Sequence, residues 1–265
     1  MAQLFTQRDT DINQWQRDLT GTAQARAAAI LAAAKTQTPR AQTLLGQILL
    51  TGDGIAKDPH LAVTWFEIAA AQGDAMAFNM LGRCYEHGLG LAQNLYVAAS
   101  YYQKAAVLGL DWGQYNLANL LATGRGIAQD QAQAFALYLK AAEQGHAKSM
   151  NLVGRFYEDG ISVTPCMQTA IEWYRRSAEG GDFRGQYSLA TVLLAQGDIP
   201  GACHWLNAAL AGGNLNFLRT QRSALYHVQH PAIRAIAVKF YAKAAELGDA
   251  SDAALWETHR CQSSF

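Results

Sequence analysis

Residues 81–109 read LGRCYEHGLGLAQNLYVAASYYQKAAVLG, and the skeleton of this stretch returns at one fixed spacing on either side of it. At a spacing of 36, Leu45, Leu81, Leu117 and Val153 align, as do Gly46, Gly82, Ala118 and Gly154, and then Gly52, Gly88, Gly124 and Gly160. The second half of the unit keeps that register, with Ala62, Ala98, Ala134 and Ala170, then Phe66, Tyr102, Tyr138 and Tyr174, and finally Gly73, Gly109, Gly145 and Gly181. Self-similarity at a period of this size is the mark of a solenoid, in which each unit buries its apolar face against its neighbours. A chain of 265 residues built this way is expected to form a single quasi-linear domain.

Each unit has two halves. In the first, AFNMLGRCYEHG (77–88) sets Leu81, Gly82 and Tyr85 along one stripe of a helix that ends at Gly88. The absent side chain at Gly82 leaves room for close approach of the partner helix, and Ala118, the one replacement, is the smallest available. The linker GLGLAQN (88–94) has the counterparts GDGIAKD from 52, GRGIAQD from 124 and GISVTPC from 160. Its paired glycines permit a tight turn, the apolar residue after them plugs the gap between helices, and Asp58, Asn94 and Asp130 are suited to cap the next helix. In the fourth linker Ser162 and Cys166 replace the second glycine and the cap, so Thr164 is the expected cap there, with Pro165 in the first helical position. The second half, as in LAVTWFEIAAAQGD (61–74), alternates small and bulky residues, which is what two closely crossing helices need in order to interdigitate.

Composition narrows the function. Half the residues are apolar, Pro is scarce at 5, and Lys plus Arg equal Asp plus Glu at 21 each. The formal charge is zero and no basic run is present, which argues against a nucleic-acid partner. The first 18 residues carry charges and Gln where a secretory signal has its apolar core, and no stretch holds 18 uninterrupted apolar residues, so neither export nor a membrane span is expected. A cytoplasmic location follows as the expectation, with Cys84, Cys166, Cys203 and Cys261 as reduced thiols. Cys84 is expected to pack as a small hydrophobe.

At the start of the chain, Asp11 to Leu19 can form a short helix, and a second runs from about Thr22 to Lys35. Ile30, Ala33 and Ala34 fall on Phe66, Ala69 and Ala70 at the 36-residue offset, so residues 1–40 read as capping helices. Residues 41–184 hold four full repeats, 185–214 a fifth with a shortened linker, and 215–265 a degenerate sixth with a C-terminal capping helix from Ala250 to about Thr258. The sixth keeps Ala237, Phe240, Tyr241, Ala244, Ala245 and Gly248 of its second helix, whereas Leu218 to Ile233 diverges and is interrupted at His230-Pro231.

The pattern A-x-x-x-L-G-x-x-Y-x-x-G-x-G-[VI]-x-x-D-x-x-x-A-x-x-W-Y-x-x-A-A-x-x-G resembles the Sel-one-like repeat (SLR) family, relatives of the tetratricopeptide repeats. Units 41–76, 77–112, 113–148 and 149–184 match it closely. The resemblance implies an all-α, right-handed α-solenoid of stacked antiparallel helix pairs. It also implies an adaptor role, with a protein or peptide partner bound in the concavity lined by the first helices. No cofactor and no metal enter such a reading, and the oligomeric state is left open.

If the first helices line that face, the non-skeleton positions on it are Asn79, Arg83, Glu86 and His87, then Trp112, Tyr115 and Asn119. Further on they are Lys148, Asn151, Arg155, Glu158 and Asp159, then Arg184 and Tyr187. Trp112 and Tyr115 are aromatics that the skeleton does not require; they either anchor a partner or pack against the preceding unit. Arg83 and Arg155, like Glu86 and Glu158, are two periods apart (83 + 72 = 155; 86 + 72 = 158), and each Arg–Glu set either pairs locally on its helix or forms a ladder of charges for a polar partner. For catalysis the sequence offers no HExxH, GxSxG or GxxxxGK, and its seven His are scattered. His227 and His230, three apart, would need further ligands to hold a metal. Two alternatives remain beside the adaptor: an immunity-type or regulatory inhibitor of one cognate enzyme, and a weak hydrolase on cell-wall-related compounds, an activity credited to some resembling proteins.

Overall fold

The computed structural model describes residues 22–262; the expected helix over 11–19 lies outside them. Fourteen helices and no strands are found among the described residues. In chain order they are α1 (Ala23–Lys35), α2 (Pro39–Thr51), α3 (Pro59–Ala71), α4 (Ala75–His87), α5 (Leu95–Val107), α6 (Asp111–Thr123) and α7 (Gln131–Glu143). They continue as α8 (Ala147–Asp159), α9 (Met167–Glu179), α10 (Phe183–Ala195), α11 (Ile199–Gly212), α12 (Leu215–Tyr226), α13 (Pro231–Leu247) and α14 (Ala250–Gln262). The fold is the expected all-α solenoid of stacked antiparallel helix pairs. It divides into two compact units, residues 1–137 and 138–265.

In the first unit each helix packs on the next from α1 to α6, and the first helices α2, α4 and α6 also touch in sequence. Ile30 and Ala34 of α1, Leu45 and Leu49 of α2, Phe66 of α3, and Leu81 and Cys84 of α4 form one continuous core, with Ile55 and Leu91 of the linkers packed against it. Cys84 is buried among these side chains, and its burial pushes the thiol up to about 11, so it behaves as the small hydrophobe expected. In the second unit α8 packs on α9 and α10, α10 on α11, and α13 on α11, α12 and α14. Tyr174 and Leu189 centre one cluster, and Leu206, Phe217, Leu218, Ile233 and Phe240 another.

The glycine of the first helix makes room for a ring rather than for a backbone. A methyl group on Gly82 would lie 2.5 Å from Tyr102 Cδ1, one on Gly46 2.4 Å from Phe66 Cε1, and one on Gly154 2.6 Å from Tyr174 Cε1. Backbone meets backbone one step later. The second glycine of the linker, Gly90, has φ 71° and sits so close to α3 that a methyl group would lie 2.2 Å from the Pro59 carbonyl oxygen.

Asp58, Asn94 and Asp130 cap as expected, accepting from the N–H groups of Leu61 (3.0 Å), Val97 (3.1 Å) and Gln133 (2.9 Å). The fourth linker differs from expectation. Helix α9 starts at Met167 with Cys166 as its N-cap, so Thr164 does not cap and Pro165 lies before the helix. The cause is a backbone register bond. The Cys166 N–H donates to the Tyr157 carbonyl at 2.9 Å, as Asp58 does to Leu49 (2.9 Å) and Asn94 to Tyr85 (2.9 Å), and this bond fixes where the helix can begin. Cys166 makes no side-chain cap bond, and Ser162 takes a left-handed φ of 58° where the other linkers have glycine.

The divergent stretch after 214 is largely regular. Residues 215–226 form α12 with Phe217, Leu218, Arg222 and Leu225 buried, and only the turn at 227–230 is irregular. The last helix, α14, runs beyond the expected 258 and is held by charge. Asp252, 1% exposed, accepts from Arg222 Nη1 at 2.7 Å and from Arg219 Nε at 3.0 Å, while Arg219 Nη2 also reaches Asp249 at 2.9 Å.

Candidate functional site

The first-helix positions proposed from sequence separate into residues that hold the scaffold and residues that face solvent. In the first unit Asn79 of α4 is 3% exposed and accepts a hydrogen bond from Asn116 Nδ2 of α6 at 2.8 Å, a polar rung between neighbouring first helices. Asn151 of α8 does the same in the second unit, accepting from the Ser188 hydroxyl of α10 at 2.9 Å. Both amides are buried, and in each the rung satisfies the side-chain oxygen and ties two repeats together.

Glu86 and Arg83 do not form the local pair that their spacing allows. Glu86 Oε2 accepts from the Tyr102 hydroxyl at 2.7 Å, its Oε1 from Arg125 Nη1 at 3.2 Å, and Arg83 Nη1 lies beside Met80 Sδ at 3.8 Å. Glu158 repeats the arrangement with the Tyr174 hydroxyl. Gly82, Tyr102 and Glu86 thus act together: the ring fills the space over the glycine, and the carboxylate takes the hydroxyl that the ring brings with it. Burial first, and then the bonded carboxylate, push both phenols well above their ordinary range, so both remain donors.

The side chains left facing solvent are few. In the first unit they are Arg83 and His87, with half-buried Asn119 beside them in the sequence of first helices. Trp112 is 37% exposed and meets the Tyr115 ring edge-on with centroids 6.0 Å apart. In the second unit Arg155, Glu158, Asp159 and Arg184 are exposed and Lys148 is half-buried, with the Arg184 guanidinium 4.5 Å from the Phe183 ring centroid. Tyr187 packs edge-on to Phe217 at 5.6 Å and is drawn into the core of its unit. The two aromatic positions 72 residues apart (115 + 72 = 187) are therefore not equivalent.

Three participants escaped the reading of the sequence. Arg125 occupies a linker position and reaches a carboxylate 39 residues earlier. Asn116 and Ser188 stand beside tyrosines that drew attention from them. The apolar run Val107-Leu108-Gly109-Leu110 departs from AQGD at 71–74, EQGH at 143–146 and EGGD at 179–182. Among the described residues no group of three or more His, Cys, Asp or Glu is gathered as a metal ion requires, and no helix is long and apolar enough to cross a membrane.

A family model described as the Sel1 repeat matches residues 39–74, 75–110, 113–146, 147–182 and 234–249. The last match falls on the second helix of the sixth unit, and the shortened fifth unit lies between matches. Among solved structures, a Sel1 repeat protein from Oxalobacter formigenes is 24% identical over 96% of this chain and 99% of its own, with a TM-score of 0.71. A protective antigen of uropathogenic Escherichia coli strains with an SLR fold is 29% identical over 87% of this chain, with a TM-score of 0.65. The match takes in 50% of that antigen, so this chain spans half its length. An immunity protein from Pseudomonas aeruginosa is 16% identical over 85% of this chain and 81% of its own, with a TM-score of 0.52.

Proposed function

The chain belongs to the Sel1 repeat family, and we propose that it is a non-enzymatic adaptor that holds a segment of a partner protein on the solvent-facing side of its first helices. Sel1 repeat proteins generally mediate protein–protein interaction, and their fold is typically a non-catalytic scaffold. The observation that carries the finer reading is the Trp112–Tyr115 pair. Two large aromatics meet edge-on at positions the repeat skeleton leaves free, one of them 37% exposed, and such side chains are the usual anchors of a binding surface. A preformed helical surface also binds a segment without having to order itself first.

The test is affinity capture from native lysate followed by mass spectrometry, comparing the wild type with the Trp112→Ala, Tyr115→Ala double variant. Loss of a specific partner with an unchanged circular dichroism spectrum and melting point is the expected result; undiminished capture overturns the assignment of this face. Capture of one enzyme whose activity falls on binding would turn the reading into that of an immunity-type inhibitor, a role borne by the Pseudomonas aeruginosa protein of the same fold.

A further inference from the structure

The turn between α5 and α6 breaks the rule that the other repeats follow. At this point in the unit the chain elsewhere places a polar N-cap: Asp74 accepts from the Ala77 N–H at 2.7 Å, His146 from Ser149 at 3.3 Å, and Asp182 from Gly185 at 3.0 Å. Here the N-cap is Leu110, which offers no acceptor. The next residue takes over in part, the Asp111 carboxylate accepting from the Trp112 N–H at 2.7 Å. The residues before it have changed as well. Val107 is 77% exposed and Leu108 52%, where other units have Ala71, Glu143 and Glu179, then Gln72, Gln144 and Gly180.

A second, separate change points to the same edge. In the first repeat Gln72 Nε2 donates to Gln42 Oε1 at 2.7 Å, bridging the two helices of the pair. One period later those two positions are Leu108 and Phe78 (72 + 36 = 108; 42 + 36 = 78), so a polar bridge has given way to an aliphatic and an aromatic side chain. Phe78 is half-buried against the core, with the Lys104 ammonium 5.6 Å from its ring centroid. Lys104 lies three and four residues before Val107 and Leu108, on their side of α5, and Asp111 opens α6 just beyond them. The edge is thus an apolar centre of Phe78, Val107 and Leu108, with a cation on one side in Lys104 and an anion on the other in Asp111.

We propose that this edge of the α4–α5 pair docks on the same edge of a second copy of the chain. A two-fold axis through Leu108 sets apolar centre on apolar centre and places each Lys104 opposite the partner copy's Asp111. Carrying both signs of charge at its rim is what makes a patch complementary to itself, as a two-fold interface must be. A patch this narrow belongs at the small end of specific interfaces, so the dimer forms reversibly, with a dissociation constant of about 1–100 µM. It uses neither the Trp112 nor the Tyr115 side chain, so the Trp112→Ala, Tyr115→Ala double variant is expected to dimerise like the wild type, which separates this proposal from the partner face.

Sedimentation velocity across a concentration series spanning that range tests it. The wild type is expected to move from monomer to dimer, and Leu108→Glu to weaken dimerisation at least tenfold, about 1.4 kcal/mol. Lys104→Glu and Asp111→Lys should each be monomeric alone, because each sets like charges together twice, and should form a mixed dimer when combined, because both contacts are then opposite in sign. That last arm holds even if Leu108→Glu fails to fold. A wild type that stays monomeric throughout, or a dimer that survives the single charge reversals, overturns the proposal.

Discussion

Tyr102 shows how one side chain can settle the use of three positions. Its ring occupies the space left by Gly82 and its hydroxyl is spent on Glu86. Tyr102→Phe keeps the ring and loses the bond, and is expected to cost about 1 kcal/mol. Gly82→Ala forces a methyl group to 2.5 Å from a ring that is tied at its far end, so it is expected to cost about 1–3 kcal/mol. Urea unfolding of both variants measures the difference, and a Gly82→Ala protein as stable as wild type would show that the ring can move aside. The glycine and the tyrosine were legible from their period, whereas the use of Glu86 was not. Arg83, three residues away on the same helix, supplied a plausible local partner, while the true one lies 16 residues on, in another helix. Asn79 and Asn151 misled in a related way: their positions on the first helix suggested exposure, but the neighbouring helix brings Asn116 or Ser188 onto them.

At the scale of the element, nearly every boundary could be read from caps and glycines, and the two misses have separate causes. Helix α9 begins where the Cys166 N–H bond to Tyr157 dictates, even though the cap residue is lost and Ser162 must take a left-handed φ. Cys166→Asp restores the missing acceptor and is expected to add about 1 kcal/mol. Ser162→Gly removes the left-handed penalty for about 0.5–1 kcal/mol more. Chemical denaturation of the single and double variants checks both values, and a destabilised Cys166→Asp would mean that the thiol contact with Thr169 matters more than capping. Helix α12 was missed for another reason. Two arginines, Arg219 and Arg222, fall among its apolar residues, and a helix that faces a buried carboxylate carries no clean hydrophobic period.

At the scale of the whole molecule, apolar packing holds the repeats, but the last described helix is held by a charge cluster. Arg219 first, and then Arg222, hold the Asp252 carboxyl well below the usual carboxylate range. A carboxyl lowered in the folded state gives stability that is complete above its unfolded pKa and drains away as pH falls toward the folded value. Helix α14 is therefore expected to loosen before the rest as the solution is taken from about pH 5 to about pH 2. Hydrogen exchange over residues 250–262 should rise in acid more than over α8 to α10, and Asp252→Asn should raise it already near neutral pH. Equal acid sensitivity of α14 and α8 to α10 would refute this.

The joining of Gly82, Tyr102 and Glu86 also bears on how such arrays can be rearranged. One period earlier the same places hold Gly46, Phe66 and Leu50, a ring without a hydroxyl beside a residue without a carboxylate. In these two repeats ring and partner match, whereas the next period sets Tyr138 with Ala122 at the same two places. Phe66→Tyr alone would bring a hydroxyl to a leucine, and Glu86→Leu alone would strand the one Tyr102 carries. In chimaeras spliced between the first and second repeats the two positions, 16 residues apart, are therefore best inherited together, because a crossover placed in the linker between them would separate a matched pair.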